Sequence, residues 1–262
     1  VGPLISVTDL SFRYTEAAVL KSLCFDIFKG EICAIIGPNG SGKSTLMNCL
    51  NGFFTPQSGS VFVSGQNIKS FRVQERARRI AFVSQEQINS FPYQVIDMVV
   101  MGRTPFLDFF NRPSRFDYEM SWEVLNNLGL AELGHRPFTS LSGGEKQLVR
   151  LARAFVQTSE ILLLDEPTVH LDIKNTYQML NALSDHVLQK DKTIVASIHD
   201  PNLVLDFAQT VIMINNGEIL EWGPVDQVMT SDNLSRLYHV RLNTEKVNGS
   251  TVITYPRPAH KY

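Results

Sequence analysis

A chain of 262 residues, 44% hydrophobic and 19% charged, carries enough apolar side chain for one large core or two modest ones, which excludes a disordered polypeptide. A net charge of −2 and a pI near 6.3 show no general basic excess, so nucleic acid is not an expected partner. No apolar run is long enough to span a bilayer, and no secretory leader is visible at Val1-Gly2-Pro3-Leu4.

In chain order, Leu4 to Arg13 alternates weakly and predicts a strand, and Val19 to Phe28 predicts a second, closed by the Lys29-Gly30 turn. Together they suggest an antiparallel layer. Cys24, Cys33 and Cys49 have no paired spacing and are expected as buried thiols in a reducing compartment. Glu31 to Ile36 is short and apolar, a buried strand. It runs into Gly37-Pro38-Asn39-Gly40-Ser41-Gly42-Lys43-Ser44-Thr45, followed by a helical stretch to Leu50. This is G-x-x-x-x-G-K-[ST] in its strand–loop–helix setting, a phosphate-binding loop. Glycines let the backbone wrap an anion with its N–H groups inward, and the helix N-terminus adds positive potential. Lys43 is expected to reach the β- and γ-phosphates and the Ser44 hydroxyl to ligate Mg²⁺. The bland alternative, a glycine-rich turn that binds nothing, does not account for the Lys-Ser pair.

Val61 to Val63 predicts a strand and Ser64-Gly65-Gln66 a turn; Ile80 to Ser84 predicts another strand, closed by Gln85. From Glu86 to about Phe138 the character changes. Pro92, Pro105, Pro113 and Pro137 punctuate two helical stretches, Gln94 to Gly102 and Phe116 to Leu128, as in a helical insertion within an α/β core. The Phe106-Leu107-Asp108-Phe109-Phe110 cluster reads as a satellite core or a partner-facing patch. Ser142, with Glu145 three residues on, predicts a capping box opening a helix through Phe155. Ile161 to Leu164 reads as a fully buried strand that delivers Asp165-Glu166-Pro167 at its carboxyl end, where open α/β sheets bind ligands. A helix over Asn175 to Gln189 and a strand over Thr193 to Ser197 follow, the strand ending before His199-Asp200. Val211 to Glu221 predicts a hairpin about Asn216-Gly217, Gly223 to Tyr238 a helix, and Thr244 to Pro256 a hairpin about Asn248-Gly249.

With Leu141-Ser142-Gly143-Gly144-Glu145 lying between the phosphate loop and Asp165-Glu166, the sequence resembles an ATP-binding cassette ATPase over about Ile5 to Glu221. The resemblance implies an α/β P-loop NTPase core with a mainly parallel sheet, an antiparallel β subdomain and an inserted helical subdomain. It divides the chain into 1–85 and 156–222 as the halves of the ATP-binding core, 86–155 as the helical part with the signature, and 223–262 as a C-terminal helix and hairpin. ATP and Mg²⁺ are the implied cofactors. Tyr14 resembles the aromatic that stacks on adenine, with a half-buried strand tyrosine as the bland alternative. Gly37 to Thr45 would hold the phosphates, and Asp165, with Ser44 and Gln85, the Mg²⁺. Glu166 resembles the general base, Gln85 the loop glutamine that senses Mg²⁺ and water, and His199 the switch histidine on the γ-phosphate. Ser142, Gly143, Gly144 and Glu145 would cap the nucleotide of a second copy, and Asp172 would cross that dimer interface. Two positions depart from the usual pattern: Glu145 stands in place of the commoner Gln, and His170 where a small residue is usual.

Met101 to Phe106 resembles the branch of importers that carry metal chelates. The implied partners are a multi-spanning membrane permease, a second copy of the chain and, indirectly, an extracytoplasmic binding protein, with the chain on the cytoplasmic face of a prokaryotic inner membrane. An importer of an oxyanion such as molybdate, and a soluble cassette acting on ribosomes or DNA, are the alternatives. The latter usually carries two fused cassettes or coiled-coil arms, which are not seen here.

Overall fold

The computed structural model describes residues 2–85, 91–108, 111–169, 171–190, 192–247 and 249–255, with backbone only for 188–190. The chain forms two compact units. One combines Val1–Lys69 with Val195–Tyr262, and the other is Ser70–Ile194.

In the first unit, β1 (Ile5–Arg13) pairs antiparallel with β2 (Ala18–Ile27), its inward side chains alternating with outward ones. The fully buried β3 (Ile32–Ile36) leads through the phosphate loop into α1 (Lys43–Leu50). Strand β4 (Ser58–Val63) returns to pair antiparallel with β1, and β5 (Gln66–Asn67) completes an antiparallel layer of order β2-β1-β4-β5. The expected antiparallel layer is thus present. Cys33 and Cys49 are buried as expected, but Cys24 is exposed. It falls on the outward side of β2, between the buried Leu23 and Phe25, where the strand's two-residue period turns it away from the core. There its Sγ accepts the Asp9 N–H.

The second unit begins with α2 (Val73–Arg79), which the sequence reading did not find, and β6 (Ile80–Val83). The expected helix over Gln94 to Gly102 is shorter: α3 (Val95–Val100) tightens into a 3₁₀ segment over Met101–Phe106. Helix α4 (Arg115–Asn127) starts from a Ser114–Asp117 capping box. Helix α5 (Gly143–Val156) buries Gly144, Gln147, Leu148, Leu151, Ala152 and Phe155, one continuous face at helical spacing. Strand β7 (Ile161–Asp165) is buried throughout and pairs parallel with β6 from Ile80↔Ile161 to Val83↔Leu164. Helix α6 (Ile173–Lys190) leads to β8 (Thr193–Ser197), the strand within which the chain passes back to the first unit.

There β8 lies beside β3, and β9 (Thr210–Asn215) pairs parallel with β3 on its other side, with α7 (Pro201–Phe207) in between along the chain. The expected hairpin forms between β9 and β10 (Glu218–Pro224). The expected continuous helix from Gly223 to Tyr238 does not form. Gly223 and Pro224 still belong to β10, and the chain makes only α8 (Val225–Val228) and α9 (Ser231–Tyr238). Met229 ends the first, and Thr230 caps the second, its side chain accepting from Asn233 N–H. Strands β11 (Asn243–Val247) and β12 (Ser250–Thr254) form the tail hairpin. Asn202 of α7 ties that hairpin down by giving its amide to Ile253 O and accepting from Ile253 N–H. Among the described residues no helix is long and apolar enough to cross a membrane.

Candidate active site

The phosphate loop sits at the carboxyl end of β3, with one glycine for each of two demands. Gly42 has φ +107° as it turns into α1, a conformation costly for any residue with a Cβ. At Gly37 a Cβ would overlap the backbone oxygen of Ile214, so the loop can pass there only without a side chain. Lys43 is buried and its ammonium donates to Gly37 O at 2.8 Å and Pro38 O at 3.1 Å, which stretches it back across the loop. Ser41 is also buried, and its hydroxyl has no hydrogen-bond partner among the described residues. A buried cation next to an unpaired buried hydroxyl, on a loop that opens a helix N-terminus, is a cradle whose polar groups fit an anion. The residues present therefore fit a nucleotide phosphate. Asn39 and Gly40, at the loop tip, are exposed, whereas Ser44 is half-buried and Thr45 buried in the first turn of α1.

Tyr14 follows β1 directly and is 61% exposed. Its hydroxyl meets Thr45 Oγ1 at 3.2 Å, and its ring stands edge-on to Phe12 and Phe54. One tyrosine thereby touches the phosphate-loop helix and still shows ring surface to solvent. His199 lies in the same unit. Ile198 N–H donates to Ile35 O, so the exposed His199 leaves β8 beside the start of the loop. Asp200, next to it, caps α7 through Asn202 N–H.

The second unit gathers the acidic pair. Asp165 is buried at the carboxyl end of β7, and Glu166 follows with φ +49°. This left-handed backbone is unfavourable for a residue with a side chain and is characteristic of functional turns. It swings the Glu166 carboxylate out of the strand register, where Gln85 Nε2 donates to its Oε2 at 2.7 Å. The sequence reading gave both residues roles, and the structure brings them together. Within this unit the Asp165 carboxylate and the Gln85 side-chain carbonyl are hard oxygen donors, of the kind that suits Mg²⁺.

At the start of α5 the predicted capping box is present. Ser142 Oγ accepts from Glu145 N–H at 3.3 Å, and Glu145 Oε2 accepts from Ser142 N–H at 2.7 Å. Those bonds to Ser142 hold the Glu145 carboxyl below its ordinary range. Ser142 and Gly143 are exposed, with open space where a Gly143 side chain would be. Gly144 is buried because the Asn175 carboxamide of α6 packs where its Cβ would lie. Asp172 is exposed, and its Oδ1 accepts from Asn175 N–H at 2.7 Å. Asn175 thus links the turn of Asp172 to the signature helix. Neither a motif nor a periodicity points to it; only Gly144 does, as a glycine placed inside a helix. His170, Phe109 and Phe110 lie outside the described residues.

The family model described as ABC transporter matches residues 20–169. The "Probable iron chelatin transport ATP-binding protein" of Helicobacter pylori is 35% identical over 240 residues, 91% of this chain and 94% of that protein. The molybdate import ATP-binding protein MolC of Haemophilus influenzae is 36% identical over 237 residues, 90% of this chain and 88% of its own length. A solved structure described as an inward-facing conformation of a metal-chelate type ABC transporter superposes with a TM-score of 0.84 at 34% identity, covering 96% of each chain. With the family model over more than half the chain and such relatives across most of the rest, the chain belongs to the ABC transporter family, as one of its ATP-binding ATPases.

Proposed function

We propose that the chain is the nucleotide-binding subunit of a membrane importer of metal chelates, and that it works as an ATP-dependent homodimer on a multi-spanning permease. The observation that carries the catalytic part is the Gln85–Glu166 hydrogen bond at the end of a buried strand. In this reading the Glu166 carboxylate takes the proton of the attacking water. Gln85 holds one carboxylate oxygen, which fixes the direction in which the carboxylate faces. Lys43 and the loop N–H groups neutralise the phosphates, and His199 bonds the γ-phosphate. Mg²⁺, held by Ser44, Asp165 and Gln85, would draw charge from the β- and γ-phosphate oxygens. Tyr14 stacks on the adenine. Ser142, Gly143, Gly144 and Glu145 meet the γ-phosphate of a second copy, and Asp172 lies in that interface. Supporting this is the open, exposed N-terminus of α5, where an incoming anion finds backbone donors.

ATP does transport work only by binding the closed dimer better than the open one, and hydrolysis then resets it. The metal-chelate reading rests on the iron-chelatin relative and the metal-chelate transporter structure. The molybdate relative supports an oxyanion as the second reading. Glu166→Gln tests the core of the proposal. ATP binding is expected to persist while hydrolysis falls by about 10²–10⁴-fold, the usual contribution of a general base. Unchanged turnover would overturn the assignment. ATPase assays of the purified complex in lipid with ferric siderophore, haem, cobalamin and molybdate in turn then separate the cargo readings.

A further inference from the structure

Beside Tyr14 is an arrangement that no motif announces. Strand β1 pairs with β4 as far as Ser11↔Ser58, and Gln57 N–H donates to Ser11 O at 3.0 Å. One residue earlier in the chain is Pro56, which has no N–H with which to continue the ladder. The Gln57 side chain takes over. Its Oε1 accepts from Arg13 N–H at 2.8 Å and its Nε2 donates to Arg13 O at 2.9 Å. A carboxamide here does what a peptide group does in a strand pair, and it does so at the residue before Tyr14. On the other side of β1, Arg13 is opposite Ala18 at the very start of β2, so that pairing also ends at Arg13. Phe54, from the same segment, lies flat on Phe12 at 5.0 Å and meets Tyr14 edge-on.

We infer that Gln57 is a positioning residue for nucleotide binding: as a substitute peptide it fixes Arg13 and thereby aims the Tyr14 ring at the base. The inference rests on the reading of Tyr14 as the base platform and deepens it. Gln57 touches no nucleotide itself. Its effect is confined to the part of the ligand that Tyr14 contacts, which a merely structural role would not predict. A stacked base contributes substantially to affinity, and a ring free to swing loses part of that contribution to ordering.

The test uses the full chain and equilibrium binding of two probes, ATP and inorganic tripolyphosphate, the second having phosphates but no base. Tyr14→Ala is expected to weaken ATP about tenfold and Gln57→Ala about three- to tenfold, both leaving tripolyphosphate unchanged. In the Tyr14→Ala background Gln57→Ala should add nothing, because the two act as one unit. Gln57→Glu keeps the size and the acceptor but turns a carboxylate oxygen toward Arg13 O, and it should reproduce the selective loss. Equal loss of both probes, no loss of ATP in Gln57→Ala, or full additivity in the double variant would each overturn the inference. If Tyr14→Ala alone leaves ATP affinity intact, the platform reading falls first and the role of Gln57 falls with it.

Discussion

Arg103 and Asp117 face each other at 2.9 Å with side chains only 10% and 7% exposed, and Arg103 also donates to Val156 O. Burial alone would raise the Asp117 pKa, but hydrogen bonds from Ser114 and Arg103 and the guanidinium charge outweigh it and hold it below the ordinary value. The sign follows. The charged pair contributes fully above the pKa of an unfolded aspartate, and the contribution is lost as pH falls through the lower folded value. Urea midpoints of the native chain and of Asp117→Asn should therefore differ by a constant amount between pH 7 and 5 and converge in stronger acid. Arg103→Ala, which strands a buried carboxylate, should cost about 3–5 kcal/mol, whereas replacing both partners by apolar residues should cost far less than the sum. Neither residue stands out in the sequence, because one arginine among many gives no sign that it is buried. The phosphate loop stands out for the opposite reason, since its spacing is itself the motif, and the family resemblance is what draws attention to Gln85, the acidic pair and His199. Gln57 and Asn175 were not, since their roles come from backbone groups distant in sequence. Cys24 was misread because composition cannot tell which side of a bulged strand a thiol faces.

At the scale of elements, Gly102 lets the 3₁₀ segment over Met101–Phe106 pass close against α5. A Cβ there would overlap the backbone oxygen of Arg153 in α5 and reach to 2.7 Å from Val156 Cγ1. Backbone cannot step aside as a side chain can, so Gly102→Ala should lower stability by about 1–3 kcal/mol, read as a lower thermal midpoint. In the sequence Gly102 only marks a helix end. That α3 tightens into a 3₁₀ segment before Pro105, and that Gly223-Pro224 extends a strand, are local outcomes of packing that periodicity does not encode. Strands β3, β7 and β8 were the most legible elements, because an unbroken run of four or five apolar or small residues leaves a buried strand as the simplest solution. Helix α2 escaped notice because Val73–Arg79 has no buried residue and so no apolar stripe to read.

At the scale of the whole molecule the proposal makes two further predictions. Glu166→Gln with Mg²⁺ and saturating ATP should elute as a dimer and revert to a monomer on nucleotide removal; a species that stays monomeric would count against the ATP-dependent homodimer. Gentle solubilisation of host membranes should bring down a multi-spanning protein at equal stoichiometry with the tagged chain, and recovery of ribosomal or DNA-associated proteins instead would remove the transport role while leaving the ATPase. The first unit is also built from the two ends of the chain. Strand β3, buried throughout, takes β9 as a parallel neighbour, with Cys33 opposite Thr210. During synthesis the strand before the phosphate loop must therefore wait, unpaired on that side, until the residues of β9, about 175 positions later, have left the ribosome. Such a long-range closure is slow and exposes an apolar segment meanwhile. Nascent chains stalled before residue 210 should be clients of the chaperone machinery, and release should follow emergence of the β9–β10 hairpin rather than of the Gly37–Thr45 loop.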